Sequence, residues 1–184
     1  MKKILQKEEK ILRKNALEVR PSEIKSAKIQ KILKEMSAAL KSQADGVAIA
    51  APQIGYSLRI FIVAGKIFEK EFVKNREERM SGEREKNDIV EVKPKKNLVF
   101  INPKISKLSR EKEWLPEGCL SVRPLYGKTW RSKKATVTAY NENGEKFSRG
   151  ASGLLAQIFQ HETDHLDGVL FIDHAKDIKE ETPE

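Results

Sequence analysis

The chain has 184 residues, of which 39% are hydrophobic, and these values indicate one domain spanning residues 1–184 with a sizeable core, not two independently folding units. No apolar run approaches the length needed to cross a bilayer, and charges interrupt the N-terminal stretch MKKILQKEEKIL before a signal-type core develops. We therefore expect a cytoplasmic protein with no membrane contact. The single cysteine, Cys119, excludes an internal disulfide, which leaves packing, reactivity or metal binding as its role.

The net charge of +9 is distributed unevenly along the chain. Residues 1–45 hold 12 Lys and Arg against 6 Asp and Glu, and residues 104–134 hold 9 against 3. Residues 161–184 reverse the sign, with 2 against 8. A basic front with an acidic end is compatible with docking on RNA or another polyanion, although most charged runs are simply solvated surface.

The first predicted elements are a helix and two strands. Apolar residues recur at helical spacing over residues 23–40, after Pro21, and Ser22 can cap the first turn of this helix. Short runs of branched and aromatic residues at 58–64 and 97–102 are typical of buried strands. The segment between these strands has nearly balanced charge and few apolar positions, so we expect a charged surface insertion at 66–96 with a short helix and a loop.

The second half of the chain predicts a hairpin, a helix and a return strand. The sequence KATVTAYNENGEKFSR alternates on both sides of NENG, whose central asparagine and glycine tolerate positive φ. A helix should begin near Ala151 or Ser152 and stop at Gly168, followed by a strand, VLFID, and an acidic C-terminal tail at 174–184. Runs of strands without regular strand-helix alternation favour an α+β fold, with mixed or antiparallel sheets packed around this central helix.

The predicted helix contains the sequence IFQHETDHLDG, which holds two of the chain's three histidines. Positions i and i+4 lie on the same face of a helix, so His161 and His165 can direct a ring nitrogen at one metal ion. Glu162 lies beside that ion, where a carboxylate can take a proton from a metal-activated water. The alternative interpretation is a pair of surface histidines.

A hydrolytic metal site needs a third protein ligand and an open position for water. Phe171 occupies the position at which a metzincin has its third histidine, and the later glutamates lie in a short terminal tail. His174 is available, but a lone histidine near a chain end is more often solvated. Cys119, in PEGCLSV, would as a thiolate complete a set suited to Fe(II), Zn(II), Ni(II) or Co(II).

Three stretches of the sequence resemble the signature motifs of the peptide deformylase family. They are GVAIAAPQIG at 46–55, EGCLS at 117–121 and QHETDHLDG at 160–168, in the order and approximate spacing of that family. The flanking text ILRKNALEV and LRIFIVA…INPKI is similar as well, so the resemblance covers the chain except residues 66–96. It implies an enzyme that removes the formyl group from the N-terminal formylmethionine of new polypeptides and releases formate.

The resemblance also implies one divalent metal ion held by Cys119, His161 and His165. Fe(II) is the expected ion in the cell, and Zn(II), Ni(II) or Co(II) are expected to be accepted by the purified protein. A water activated by the metal then attacks the formyl carbon, and Glu162 serves first as general base and then as general acid toward the departing amine.

Further residues take their implied roles from the same resemblance. In the family a glutamine amide and the backbone N–H after the ligand cysteine stabilise the oxyanion, and these are Gln53 and Leu120 here. Glu117 and Arg131 match an ion pair that supports the cysteine loop, whereas an exposed pair would contribute little. The first motif is expected to pair with the substrate peptide as an added strand. The expected substrate contacts are Gly46, Val47, Ala48, Gly118 and Tyr126.

The chain departs from the family pattern in three places. Ala48 stands where the family has a glycine and adds a methyl group beside the substrate path, and Arg123-Pro124 replaces a common Pro-Gly pair at the rim of the entrance. The C-terminal tail is acidic, unlike the basic extension of some members. We therefore expect any transient ribosome contact to use the basic patches, and we expect a monomer that acts on formylmethionyl nascent peptides.

Two other functions fit parts of the sequence. A small zincin-type protease would cleave internal peptide bonds and would stay active without Cys119. A basic RNA-binding or ribosome-binding protein would keep the scaffold without turnover. No phosphate-cradling glycine loop occurs in the sequence, so no organic cofactor is expected.

Overall fold

A computed structural model describes residues 2–69, 72 and 95–180. Within these residues the chain forms two α-helices, several single 3-10 turns and eight strands arranged in two sheets. The helices are α1 (Ala27–Lys41) and α2 (Gly153–Leu166). The strands are β1 (Ala48–Ala50), β2 (Ile60–Val63), β3 (Leu98–Leu108), β4 (Lys112–Gly118), β5 (Leu125–Ser132), β6 (Lys134–Tyr140), β7 (Lys146–Ser152) and β8 (Lys176–Glu180).

Helix α1 is amphipathic and packs by one face. Its buried residues recur at helical spacing and face β1 and β2; they are Ile29, Ile32, Leu33, Met36, Ala39 and Leu40. The prediction that Ser22 caps this helix was wrong. Residues Pro21–Glu23 form a 3-10 turn, and Ser26 is the cap, with its side-chain oxygen accepting a hydrogen bond from the Ile29 N–H at 3.3 Å.

The larger sheet is antiparallel, with the strand order β1-β2-β3-β6-β7. Strand β1 forms one edge, where Ala48 lies opposite Val63. Strands β6 and β7 form the predicted hairpin, and Gly144 in its turn has a φ of +77°, which a glycine adopts without steric cost.

The smaller sheet has the order β4-β5-β8 and is also antiparallel. The hairpin of β4 and β5 sets Gly118 opposite Tyr126. Strand β8 lies in the region where we expected an acidic tail. Residues 176–180 pair with β5 along their backbone, although all five side chains are exposed.

Helix α2 lies between the sheets and carries the H-E-x-x-H sequence. It contacts β1, β2, β3, β6 and β7 of the larger sheet and β5 of the smaller one. Phe159 packs against Phe61 and Phe100, with ring centroids 6.3 and 5.1 Å away. The expectation of an α+β fold with antiparallel sheets is therefore confirmed.

The prediction of a return strand, VLFID, after this helix was wrong. Phe171–Asp173 form a 3-10 turn, closed by the hydrogen bond that the Asp173 N–H donates to the Leu170 carbonyl at 2.9 Å, and the Leu170 N–H donates in turn to the Asp173 carboxylate at 2.9 Å. Leu170 and Phe171 are buried with Leu12 and Val122 in a small apolar cluster. Burial against this cluster, without pairing in a sheet, explains the apolar run.

The predicted charged insertion at 66–96 lies largely outside the described residues. Its first described part, within Gly65–Phe68, is a 3-10 turn with Ile67 buried. No helix formed by the described residues combines the length and the apolar character that a bilayer crossing requires.

Candidate active site

Two helix positions and one loop position bring three metal-binding side chains together. His161 and His165 are one turn apart on α2, and Cys119 directly follows β4. Their donor atoms lie within 4.8 Å of one another, and Cys119 Sγ is 3.1 Å from His165 Nε2. In the described part of the chain this is the one cluster of three such donors.

The donor set fits a divalent transition metal. One thiolate and two imidazoles suit Fe(II) or Zn(II), whose bonds to such ligands are about 2.0–2.3 Å long, so small side-chain rotations let the three donors share one ion. Glu162, on the same helix, is 3% exposed, and its Oε2 has no hydrogen-bond partner among the described residues. Buried polar atoms normally have partners. A carboxylate oxygen left unpaired beside the cluster is suited to bind a water or a substrate group.

A buried ion pair contacts the cluster through His161 and holds this ligand in place. The Arg131 guanidinium donates to both oxygens of Glu117, at 2.7 and 3.1 Å, and also to Asp164 at 2.6 Å. Glu117 Oε1 lies 2.7 Å from His161 Nδ1, so His161 turns its other ring nitrogen toward the cluster. The Thr129 hydroxyl donates to Glu117 at 2.7 Å. The carboxylate therefore fixes the orientation of one of the three donors.

Burial and neighbouring charges shift the pKa values of these groups. Burial alone would raise the pKa of Glu117, but the charge and hydrogen bond of His161 and the Arg131 guanidinium hold it far below its usual range. Burial would lower the pKa of His161, yet the charge of Glu117 and the hydrogen bond with Cys119 raise it well above the ordinary value. Burial, followed by the charge of His161, lowers the pKa of His165.

Glu162 has the pKa of a base suited to neutral pH. Burial is the main cause that raises its pKa, to about 7, and the charge of His161 opposes this effect. A group whose pKa lies near the working pH exchanges protons efficiently in both directions. This property agrees with a carboxyl group that accepts a proton and later returns it.

Gln53 lies against the cysteine from the side of the first motif. It is 2% exposed, and its Oε1 accepts from the Ala50 N–H at 2.7 Å. This contact turns the Gln53 amide nitrogen toward Ser121 Oγ at 3.0 Å and Cys119 Sγ at 3.6 Å. Leu120 follows the cysteine in a turn, where its carbonyl accepts from Gln6 at 3.1 Å. The two predicted oxyanion donors thus both lie next to Cys119.

A cleft of about 320 Å³ opens onto the cluster. All five predicted substrate contacts line it, and they are Gly46, Val47, Ala48, Gly118 and Tyr126. Ala48 is also buried in an apolar cluster with Phe61 and Phe159, so its side chain contributes to the core next to the cleft. Asp45 and Arg123 line the mouth of the cleft, where Arg123 donates to both carboxylate oxygens at 2.6 and 2.8 Å.

The structure places every predicted site residue in the cleft or in contact with a residue that lines it. His174, the alternative ligand, lies outside the cluster, with its Nε2 3.9 Å from Asp164. Sequence reasoning missed four residues around the site: Ser121, Thr129, Gln157 and Asp164. Helical spacing offered a signal for two of them, because Gln157 and Asp164 lie four residues before and three residues after His161.

Comparisons with known proteins agree with this arrangement. The sequence model of the family described as Polypeptide deformylase matches residues 1–181. The chain is 40% identical over 173 residues to Peptide deformylase 2 of Clostridium acetobutylicum, covering 94% of each chain. It is 35% identical over 176 residues to Peptide deformylase of Desulforudis audaxviator, covering 95% of this chain and 94% of the relative.

Solved structures give the same result. The crystal structure of a class I type b peptide deformylase from Acinetobacter baumannii with bound Met-Ala-Ser has a TM-score of 0.76 and 30% identity, covering 95% of this chain and 98% of the other. A peptide deformylase from Synechococcus elongatus in complex with actinonin has a TM-score of 0.72 and 29% identity, covering 96% and 79%. The chain belongs to the polypeptide deformylase family.

Proposed function

We propose that this protein removes the N-terminal formyl group from formylmethionyl polypeptides with the help of one divalent metal ion, and releases formate. The observation that carries the proposal is the unpaired, buried carboxylate oxygen of Glu162 beside the Cys119, His161 and His165 cluster, at the base of an open cleft. When bound by these three residues, a divalent ion supplies Lewis-acid chemistry that lowers the pKa of water toward neutrality.

The chain's own residues account for the proton transfers. Glu162 takes a proton from the attacking water as the water oxygen bonds to the formyl carbon. The Gln53 amide and the Leu120 N–H stabilise the negative charge that develops on the formyl oxygen. As the carbon–nitrogen bond breaks, Glu162 returns its proton to the departing amine. Water and formamide are thereby converted to formate and a free N-terminus.

The edge of the larger sheet is the proposed binding surface for the substrate peptide. Strand β1 pairs with β2 on one side alone within the described sheet, and the preceding residues Gly46 and Val47 line the cleft. An extended peptide can add to such an edge through backbone hydrogen bonds. The apolar side chains of Leu154 and Ile158 on α2 also line the cleft and offer a surface for the methionine side chain.

The experiment that tests the reaction measures formate release from a formylmethionyl peptide, without air and with Fe(II) restored. We expect activity for the parent chain and near-total loss for Glu162→Ala with its metal content unchanged. Asp167→Ala removes a carboxylate just beyond the same helix, where it pairs with Arg59, and serves as the matched control that keeps activity. Full activity in Glu162→Ala would refute the mechanism. Cleavage of internal peptide bonds instead would indicate a zincin-type protease.

Iron is the proposed metal in the cell because the family resemblance implies it, while a thiolate and two imidazoles also accept Zn(II), Ni(II) or Co(II). A thiolate-bound Fe(II) site exposed to oxygen should lose activity in air faster than the Zn(II) or Ni(II) form. Metal analysis of protein purified without air checks the identity directly. Equal decay of all metal forms would argue against iron.

We further propose that the protein works as a monomer in the cytoplasm and contacts ribosomes transiently through its basic patches at 1–45 and 104–134. The positive charge of these segments supports the proposal. Cosedimentation with ribosomes should weaken when their Lys and Arg residues are neutralised. Unchanged cosedimentation would exclude a contact of this kind.

A further inference from the structure

Both tryptophans of the chain lie on the outer face of the smaller sheet. The register of β4 and β5 sets Trp114 directly opposite Trp130, and their ring centroids are 5.2 Å apart with an interplanar angle of 46°. Trp114 is 41% exposed and Trp130 is 48% exposed. Large aromatic side chains are usually buried, so a solvent-exposed pair on a sheet surface points to a binding function.

Lysines surround this aromatic pair. Lys112 and Lys128 are exposed and share the outer face by strand alternation, because Lys112 is two residues from Trp114 and Lys128 is two residues from Trp130. Lys176 of β8 places its Nζ 4.6 Å from the centroid of the Trp114 ring. Asp177 reduces the positive charge at one edge, because it pairs with Lys128 at 3.2 Å. The other two lysines have no carboxylate within ion-pair distance among the described residues.

We propose that this tryptophan-lysine face, formed by Lys112, Trp114, Lys128, Trp130 and Lys176, binds single-stranded RNA. Unpaired bases stack on exposed aromatic rings, and lysine side chains neutralise the adjoining phosphates. A sheet that presents neighbouring aromatic rings with lysines around them offers both the stacking and the phosphate contacts on one surface. Four of its five residues lie in the basic segment at 104–134, and Lys176 is contributed by β8.

The charges favour RNA over two other occupants. A second copy of the chain would bring two sets of lysines together on molecules that each carry a net charge of +9. An anionic membrane would satisfy the lysines, but within the described smaller sheet this face exposes no large apolar side chain besides the two indoles, because Ile178 of β8 lies on the side of Gly127. Base stacking, by contrast, needs only neighbouring exposed rings, and Trp114 and Trp130 provide them.

The tryptophan-lysine face lies close to the cleft, and this proximity holds whether or not the proposed reaction is correct. The Trp114–Trp130 pair is four positions along the β4–β5 hairpin from the Gly118–Tyr126 pair. Four strand residues span about 13 Å. RNA bound to the face would therefore lie beside the cleft, where it can hold the enzyme close to an RNA-associated substrate.

Intrinsic fluorescence tests the proposal directly, because the two tryptophans of the face are the only ones in the chain. Titration of the parent protein with a short single-stranded oligouridine should quench this fluorescence as bases stack on the indoles. Inorganic polyphosphate, which carries charge without bases, should leave it nearly unchanged. Equal responses to the two polyanions, or none to the oligouridine, would overturn the proposal.

Variants separate stacking from general charge, with binding of a labelled oligouridine measured by anisotropy. Replacing both tryptophans by leucine should weaken binding about 10-fold to 100-fold. Binding weakens as salt rises, and replacing Lys112, Lys128 and Lys176 by glutamine should make the slope of log affinity against log salt shallower by about 2. The matched control replaces three exposed lysines outside both basic segments by glutamine, and these are Lys95, Lys96 and Lys146. It should bind nearly as the parent does.

Each remaining outcome decides against the proposal. If the control lysine variant loses as much affinity as the variant of Lys112, Lys128 and Lys176, binding is general attraction to the net charge. If anionic phospholipid vesicles shift the tryptophan emission while oligouridine does not, the face is a membrane contact. If sedimentation shows a dimer that the leucine variant loses, the face binds a second copy.

Formate release should stay normal in the leucine variant, which shows in the same samples that the site remains folded.

Discussion

The carboxylate of Glu117 and the guanidinium of Arg131 form a two-bond ion pair in which the side chains are 4% and 7% exposed. The pair connects β4 to β5, and through Asp164 and His161 it also connects the smaller sheet to α2. It therefore links the strand that leads to Cys119 with the helix that carries both histidines. The spacing of the three metal-binding residues depends on this connection.

Replacing Arg131 by methionine should destabilise the protein strongly. The change leaves the buried carboxylate of Glu117 without its guanidinium partner, and breaking a buried pair in this way typically costs about 3–5 kcal/mol. Urea unfolding of the metal-free protein measures the loss. Lys104→Met, which breaks the exposed pair between Lys104 and Glu18, is the matched control and should cost under about 1 kcal/mol. Similar losses in the two variants would show that Arg131 does not act as a buried partner.

Replacing Gln53 by leucine should reduce kcat by about 10²-fold to 10³-fold, because the variant lacks one donor to the developing oxyanion. KM should change little, since the oxyanion exists only after attack on the formyl carbon. Ser121→Ala is the control: it removes the hydroxyl that accepts from Gln53 but keeps the amide donor, so its loss should be much smaller. A Gln53→Leu enzyme with the parent's kcat would exclude this role.

Replacing Gly118 by alanine should raise KM, because an added Cβ would overlap the ring of Tyr126 and push it within the cleft. In a Tyr126→Ala background the same change should have little further effect, and the difference between the two measurements gives the coupling. Gly150→Ala on β7 is the control, since its Cβ would meet Thr136 Oγ1 at an ordinary 3.7 Å. Additive effects at Gly118 and Tyr126 would contradict the proposed contact.

The helix that carries the histidines could be predicted from the sequence because its signals are local. Helical spacing places His161, Glu162 and His165 on neighbouring positions of one surface, and Gly168, with a φ of +74°, ends the segment as expected. The same local reasoning named Ser22 as the cap of α1, whereas Ser26 is the cap in the structure. Both serines precede apolar periodicity, and the 3-10 turn at Pro21–Glu23, which contains Ser22, is not visible in the periodicity.

Strand β8 and the surroundings of Glu117 could not be predicted in this way because they depend on contacts between distant segments. Residues 176–180 are all exposed and show no alternation, and backbone pairing with β5 alone makes them a strand. Asp164 likewise gains its role from Arg131, which is 33 positions away in sequence. A resemblance supplied the link from Cys119 to the histidines, since composition and spacing left His174 open.

Cys119 should be required for tight metal binding, and His174 should not. His174 lies outside the donor cluster, whereas Cys119 Sγ is within 4.8 Å of both histidine donors. After chelation and addition of Co(II), the parent and His174→Ala proteins should show the absorption of a thiolate–cobalt bond with one ion per chain. Cys119→Ser should lose that absorption and bind the ion more weakly. Loss of metal in His174→Ala alone would assign the third ligand to the histidine.

The ion pair between Arg13 and Asp173 should make stability depend on pH in the acidic range. Burial would raise the pKa of Asp173, but hydrogen bonds from Arg13 at 2.5 Å and from the Leu170 N–H at 2.9 Å lower it. A carboxyl with a lowered folded-state pKa stabilises the fold above its unfolded pKa, about 3.9, and this contribution disappears as the pH falls through the folded-state value. Arg13→Gln should therefore unfold at lower urea concentration than the parent near neutral pH, and the difference should vanish in strong acid. Arg20→Gln, which breaks an exposed pair with Glu23 at 3.9 Å, should show no such pH dependence. A difference between Arg13→Gln and the parent that stays constant with pH would mean that Arg13 stabilises the fold by packing and not through the charge of Asp173.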